Sequence, residues 1–222
     1  TINGAILSAI TVNLGTSGAA GTFNGFVRNN DIGTTGTALS CSTQAHGIAV
    51  DAHGNGTHTV AVTGNTIRRC ADFGMAVLAN DGNGNLNLTV TGNTVTEMLD
   101  DNTLNGTPRE AINLNLGATS TNVFGQIDSH AVCLALGGAG VLANSLTGGS
   151  FKNGDIRLRQ RFRTSVVLPG YTPPGGNNFD TASVITFLLG NNTGGGTATA
   201  TTNNDAAFTG EGYFGGAGCT LP

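Results

Sequence analysis

The side chains with the clearest capacity for chemistry are four arginines at alternate positions of one short segment: Arg157, Arg159, Arg161 and Arg163. Alternate side chains of a β-strand point to one face about 6–7 Å apart, so this spacing predicts a row of four guanidinium groups. Such a row can bind anionic polysaccharide, lipopolysaccharide phosphate or a neighbouring subunit. The alternative interpretation pairs these arginines with nearby carboxylates such as Asp155 and Asp128.

A second candidate for chemistry is a pair of adjacent carboxylates together with a histidine. Asp100 and Asp101 adjoin one another, and His46 lies in the segment AHGI at residues 45–48. Paired carboxylates can divide acid and base roles or bind Ca²⁺. An enzyme with these three catalytic residues is therefore the alternative function, and a solvated acidic loop is the structural interpretation.

The histidines give little indication of a metal. His46, His53 and His58 are close in the sequence, but none forms the i, i+4 pair of a helical zinc site. Residues 80–85 (NDGNGN) resemble a calcium loop in composition without the later glutamate that such a loop needs. We therefore expect neither a metal site nor a cofactor.

A repeat defines the scaffold that must position these residues. Residues 62–67 (VTGNTI) recur at 90–95 (VTGNTV), and residues 27–32 (VRNNDI) are a weaker copy. Each copy is followed by a strand with period-2 alternation, as in Ile48/Val50, and a further strand leads into the next copy. Three short strands per repeat of about 30 residues predict one turn of a parallel β-helix.

The repeat also assigns roles to its asparagines and its loops. Asn30, Asn65 and Asn93 occupy equivalent positions, which predicts a structural ladder of stacked side chains that hydrogen-bond from turn to turn. A row of ligand-binding asparagines is the alternative. Connections of unequal length at residues 33–47 and 96–111 are expected on one edge, and insertions on one face often mark a binding face.

Four cysteines without a CxxC pair favour two disulfides and an oxidising compartment over a zinc site. They are Cys41, Cys70, Cys133 and Cys219. Four cysteines allow three connectivities, and four free thiols are a further alternative. Pairing Cys41 with Cys70 and Cys133 with Cys219 is preferred because it respects the order of the turns.

Charge and pattern change near residue 150. Residues 1–151 carry a net charge of −5 and residues 152–222 a net charge of +1. We therefore predict coils in residues 1–150 and a C-terminal cap in residues 151–222. Within the cap, residues 179–189 have helical spacing, with Asp180 or Thr181 as N-cap and Gly190 as C-cap, and the Gly/Thr/Ala-rich residues 194–204 predict a flexible arm.

Composition limits the partners. No apolar run reaches the ~18 residues of a membrane span. The net charge of −4 and the few aromatic side chains disfavour nucleic acid. Residues 1–14 alternate and are apolar enough to be donated as a strand to another copy, which would build a homo-oligomer or fibre. The alternative, which we favour, is that they form the first turn of their own chain.

The chain resembles secreted surface proteins of Gram-negative bacteria with right-handed parallel β-helix repeats, the pectin-lyase-like fold. The VTGNT(I/V) turns carry the resemblance, with a C-terminal block at residues 131–134 (AVCL), 155–161 (DIRLRQR) and 215–222 (GGAGCTLP). It implies an all-β, right-handed parallel β-helix and an extracellular or cell-surface location.

From this resemblance and the residues above, we predict a non-enzymatic structural or adhesive module that could serve as a fibre subunit. Its expected partners are copies of itself, anionic polysaccharide or cell-surface glycan. The alternative is a polysaccharide lyase, glycosidase or polysaccharide-binding module.

Overall fold

The structure is a computed structural model that describes residues 1–16, 18–98, 109–118, 129–147, 155–194, 196–206 and 208–222. Its strands, numbered along the chain, form three parallel sheets. Sheet 1 contains β1 (Ile10–Leu14), β4 (Ile48–His53), β7 (Met75–Asn80), β10 (Ile112–Leu116), β13 (Ile156–Gln160) and β15 (Ala198–Thr202). Sheet 2 contains β2 (Thr22–Arg28), β5 (Thr57–Thr63), β8 (Asn85–Thr91), β11 (Ala131–Leu136), β14 (Ser165–Pro169) and β16 (Gly212–Gly216). Sheet 3 contains β3 (Asp31–Ile32), β6 (Thr66–Arg68), β9 (Thr94–Thr96) and β12 (Ser145–Thr147).

The chain passes through the three sheets in rotation. β1, β2 and β3 enter sheets 1, 2 and 3, β4 returns to sheet 1 beside β1, and the order repeats through β12. Corresponding residues of successive turns lie opposite one another, as Ile48 does with Met75 and Met75 with Ile112. This organisation confirms the all-β prediction and is consistent with a parallel solenoid.

The core consists of the inward residues of the three sheets. In sheet 1, Ile112, Leu114 and Leu116 alternate with outward asparagines and are fully buried. Sheet 3 contributes a column of Ile32, Ile67 and Val95, each 0 % exposed. Burying one such aliphatic side chain contributes roughly 1.5–3 kcal/mol, so the stacked columns are the main stabilising feature of the fold.

The asparagines between sheets 2 and 3 form a continuous hydrogen-bonded ladder. Its five members are Asn30, Asn65, Asn93, Asn144 and Asn192, and each side-chain amide donates to the next side-chain carbonyl at 2.8–2.9 Å. Each side-chain amide after the first also donates to a carbonyl of the preceding turn. The ladder therefore links adjacent turns at a tight corner, as predicted for its first three members, and extends two turns further.

Left-handed backbone conformations turn the chain at the corners. The residue before the ladder asparagine has a φ of 55–65° at Asn29, Gly64 and Gly92. After sheet 3, Gly33, Arg69 and Glu97 have φ values of 53–79°. At Gly33, a Cβ atom would collide with the carbonyl oxygen of Arg68, so no larger residue fits there.

Both disulfides are present. Cys41 is bonded to Cys70 in the next turn, and Cys133 on β11 is bonded to Cys219 after β16. The first joins the connection at residues 33–47 to its neighbour. The second holds the C-terminal segment against the outer face of sheet 2, because Cys133 lies on the outward side of its strand.

The one short helix predicted in the C-terminal part is also present. Helix α1 (Thr181–Gly190) begins after Asp180, whose carboxylate accepts the N–H groups of Ala182 and Ser183 at 3.1 Å. Its residues Val184 and Leu188 are fully buried, and the helix packs against β15. Gly190 belongs to the helix and Asn191 is the C-cap, so the predicted C-cap was one residue early.

Two further predictions concern the C-terminal part of the chain, namely the flexible arm and the domain boundary. The flexible arm predicted at residues 194–204 is wrong for β15, because its backbone pairs in register with β13 and so supplies order that composition does not reveal. β13 to β16 extend sheets 1 and 2 beyond residue 155. The predicted boundary at residue 150 lies outside the described residues and stays a prediction.

The N-terminal segment pairs within its own chain. β1 lies parallel to β4 over five residues, and Ile2 bridges to Ile32. This geometry is that of a first turn, which was the favoured interpretation of residues 1–14, and strand donation to another copy stays a prediction.

Candidate functional site

The arginines of β13 lie on the outer face of sheet 1. In β13, Ile156, Leu158 and Gln160 are buried, whereas Arg157 and Arg159 point outward. The strand ends at Gln160, and the next N–H, that of Arg161, still donates to the carbonyl of Leu116 on β10 at 2.8 Å. Alternation along β13 therefore positions the first arginines as the sequence predicted.

Arg163 departs from that row. Its backbone has a φ of 58°, which turns the chain at the corner between sheets 1 and 2. Its Nε atom lies 2.5 Å from the carboxylate of Asp205, and its guanidinium lies over the rings of Phe162 and Phe208 at 5.6 and 5.4 Å. The prediction that all four arginines share one face is wrong for Arg163, because the strand has ended before it.

The remaining three arginines, Arg157, Arg159 and Arg161, are here called the arginine cluster. Burial, together with the neighbouring charges of Arg157 and Arg161, lowers the pKa of Arg159 to about 10 against an opposing effect of Glu110. Burial and Arg157 also lower the pKa of Arg161. Three like charges thus repel one another in a partly desolvated place.

One buried carboxylate compensates part of this charge. Glu110 is only 1 % exposed, and its Oε1 atom lies 3.5 Å from Nη1 of Arg157. Arg161 donates a long hydrogen bond of 3.5 Å to Asn115. The alternative interpretation, that carboxylates pair with the arginines, holds for Arg157 and Arg163, though with Glu110 and Asp205 rather than with Asp155. Asp128 lies outside the described residues.

Polar residues flank the cluster on both neighbouring strands. Arg157 lies between Asn113 of β10 and Thr199 of β15. Arg159 lies between Asn115 and Thr201 in the next row. Neighbouring strands are about 4.8 Å apart, so these side chains and the cluster make up a polar surface across three strands.

A second polar group lies at the edge where the chain enters sheet 1. Nδ1 of His46 is 3.5 Å from Asp72, and Nε of Arg109 is 3.0 Å from the other oxygen of that carboxylate. The ring of Phe73 stacks on His46 at 5.1 Å and lies beneath the guanidinium of Arg109 at 5.6 Å. Burial is the main cause that lowers the pKa of His46 and raises that of Asp72.

The pairing of successive strands brings His46, Asp72, Phe73 and Arg109 together, and these four residues are here called the entry group. Its members immediately precede β4, β7 and β10, which are paired strands, so residues far apart in the sequence stack in successive turns. His46 therefore lies in one group with Asp72 and Arg109, an association that the sequence analysis did not predict. Asp100 and Asp101, its predicted partners, lie outside the described residues. The sequence did contain a signal for this group, because His46, Asp72 and Arg109 each lie at an equivalent position just before a strand of sheet 1.

Among the described residues, no group of three or more His, Cys, Asp and Glu side chains could hold a metal ion. The helices of the same residues include none that is long and apolar enough to cross a membrane.

No protein-family model, curated protein or solved structure matches the chain. Its function must therefore be argued from the geometry of the arginine cluster and the entry group.

Proposed function

We propose that the chain is a non-enzymatic, extracellular adhesive module that binds anionic glycan through the arginine cluster. The observation that carries this proposal is the concentration of three guanidinium groups on one outer face, where Glu110 is the carboxylate beside them among the described residues. An anion bound there would relieve the mutual repulsion of the arginines and gain charge-assisted hydrogen bonds. Rows of strand residues present such groups at regular spacing to a polymer.

The architecture and location are part of the same proposal. The rotation of the chain through three parallel sheets and the asparagine ladder support a right-handed parallel β-helix like that of secreted bacterial surface proteins. Two disulfides support an oxidising, extracellular compartment, where such bonds persist. A stiff scaffold with a cationic face suits attachment to a cell-surface polymer.

Replacing Arg159 by serine is expected to weaken binding to anionic polymers about tenfold, because it removes the central member of the cluster. Binding of polygalacturonate, dextran sulfate and polyphosphate to the full chain by calorimetry at several salt concentrations is the measurement. Fewer charge contacts should also make the dependence of affinity on salt less steep.

Arg28→Ser is the matched control for this prediction. Arg28 is exposed on β2 in sheet 2 and lies over Phe26 at 5.1 Å, away from the cluster. We expect it to change the affinity less than twofold, since it leaves the cluster intact. Equal losses in the two variants would mean that net charge alone attracts the polymer, and the proposal would fail.

A further inference from the structure

The C-terminal residues 217–222 are attached to the outer face of sheet 2 by one covalent bond. They follow β16, and four of the six are exposed, whereas Cys219 and Pro222 are half-buried. Within the described part of the chain these six residues form no hydrogen bond, so the Cys133–Cys219 disulfide is the bond that holds them. Opening this disulfide would therefore release the segment without unfolding a strand.

The segment crosses one strand on its way to Cys133. β14 lies between β11 and β16, and its residue Val167 lies opposite Cys133 on one side and Phe214 on the other. Neighbouring strands are about 4.8 Å apart, so the backbone of Cys133 is about 10 Å from β16. Gly216 passes so close to β14 that a Cβ atom there would be 2.6 Å from Cγ1 of Val167. The disulfide thus lies outside the sheet.

A shallow cavity of about 280 Å³ adjoins Cys133 on the same outer face. Side chains of four paired strands line it, among them Thr57, Asn85, Asn87, Ser165, Val167 and Cys133 itself. These described lining residues carry no charge, and their hydroxyl and amide groups both donate and accept hydrogen bonds. Small-ligand sites begin at about 300 Å³, so the cavity suits a small molecule with peptide-like amide groups.

The second disulfide of the chain provides an internal comparison. Cys41 and Cys70 are 0 and 1 % exposed, so a dissolved thiol cannot reach their sulfur atoms while the chain is folded. Exchange requires direct attack of a thiolate on a disulfide sulfur. Of the two bonds, Cys133–Cys219 is therefore the one that is open to exchange in the folded chain.

We propose that Cys133 is a site of covalent modification by small cysteine-containing peptides, which bind in the cavity and displace Cys219. The thiolate of the peptide attacks Sγ of Cys133 and forms a new disulfide bond with it. The bond between Cys133 and Cys219 breaks, and its electron pair leaves with the sulfur of Cys219, which takes up a proton from water. One disulfide replaces another, so the step needs no oxidant or reductant.

Two features favour attack at Cys133 over attack at Cys219. The cavity holds the incoming thiol beside Cys133, which is fixed on β11. Cys219 is the better placed leaving group, because its segment moves away once the bond opens. A released segment also presents its thiolate to Cys133 at a lower effective concentration than a fixed one, which slows the reverse reaction.

Mass spectrometry of the full chain incubated with glutathione, a cysteine-containing tripeptide, tests this inference. N-ethylmaleimide stops the reaction and labels free thiols. We expect glutathione on Cys133, N-ethylmaleimide on Cys219 and an intact Cys41–Cys70 bond. At equal thiolate concentration, glutathione should react about fivefold faster than 2-mercaptoethanol, because contacts in the cavity position the peptide for attack.

Variants of the cavity separate binding from simple access. Asn87→Leu, which is similar in size but cannot form hydrogen bonds, should lower the glutathione rate to about that of 2-mercaptoethanol and leave the latter unchanged. Thr57→Val should lower the glutathione rate about threefold, even if Asn87→Leu fails to fold. The matched control is Asn24→Leu, which makes the same substitution in the same row of sheet 2 but outside the cavity, and both rates should stay unchanged.

Three results would overturn the inference. Absence of a glutathione adduct from the folded chain would make Cys133–Cys219 a purely structural bond. Equal rates for the two thiols, or an adduct on Cys219 instead of Cys133, would show that the cavity does not direct the attack. Opening of Cys41–Cys70 at a similar rate would show that unfolding, rather than access on the folded chain, governs the exchange.

Discussion

Replacing Asn93 by alanine is expected to lower the free energy of unfolding by about 3–5 kcal/mol, one of the largest effects of any single substitution in the chain. Its side chain is 1 % exposed. Its amide donates to Val62 and Asn144, and its carbonyl oxygen accepts the backbone and side-chain N–H groups of Asn65. Alanine would leave several of these buried groups unpaired.

Asn30→Ala is the matched control, because Asn30 lies at the first position of the same ladder. It is half-buried, and its amide donates to Asn65 and Arg28. Water can replace part of these bonds, so we expect a loss of about 1 kcal/mol. Urea unfolding followed by circular dichroism measures both variants. Similar losses at the two positions would contradict the view that burial of the ladder determines its strength.

The ladder also shows how far the sequence could predict the fold. The period of VTGNT(I/V) was enough to identify Asn30, Asn65 and Asn93. Asn144 begins a similar segment, Asn-Ser-Leu-Thr, but the insertion at residues 137–143 shifts it out of the period. Asn192 follows helix α1 rather than a sheet 2 strand. Insertions at corners hide equivalent positions, because a solenoid keeps register in space rather than in residue count.

The candidate site was predictable where it depends on one strand and not where it depends on several. Alternation along β13 was enough to place Arg157 and Arg159 outward. The contact of Glu110 with Arg157 depends on the pairing of β10 with β13, which are separated by connections of irregular length. The orientation of Arg163 depends on where β13 ends, and no local residue type in that segment indicates a corner.

His58 lies in the core, which the alternation along β5 predicts but its residue type does not. It lies opposite Leu86, a buried core residue of the next turn, and it is 6 % exposed. Burial lowers its pKa, so the neutral ring is the form that the core accepts. A histidine among apolar columns was therefore a core residue rather than a metal ligand.

Removal of the Cys41–Cys70 disulfide is expected to destabilise the chain by about 5 kcal/mol, more than removal of Cys133–Cys219. The entropy of loop closure alone would make Cys133–Cys219 the more stabilising of the two bonds. The sequence separations are 29 and 86 residues, which correspond to about 3.6 and 4.6 kcal/mol of constraint on the unfolded chain. The native surroundings of the two bonds decide the order.

Cys41 and Cys70 are buried in the core at 0 and 1 % exposure, so replacing both by alanine also leaves a cavity that costs about 1–2 kcal/mol. Cys219 instead is half-buried in a mostly exposed terminal segment after the last strand. Breaking its bond would free that segment in the folded chain as well, which offsets part of the entropy gained on unfolding. Guanidinium unfolding of Cys41→Ala/Cys70→Ala and Cys133→Ala/Cys219→Ala without reductant measures the difference. A larger loss in the second pair would show that loop length outweighs burial in this fold.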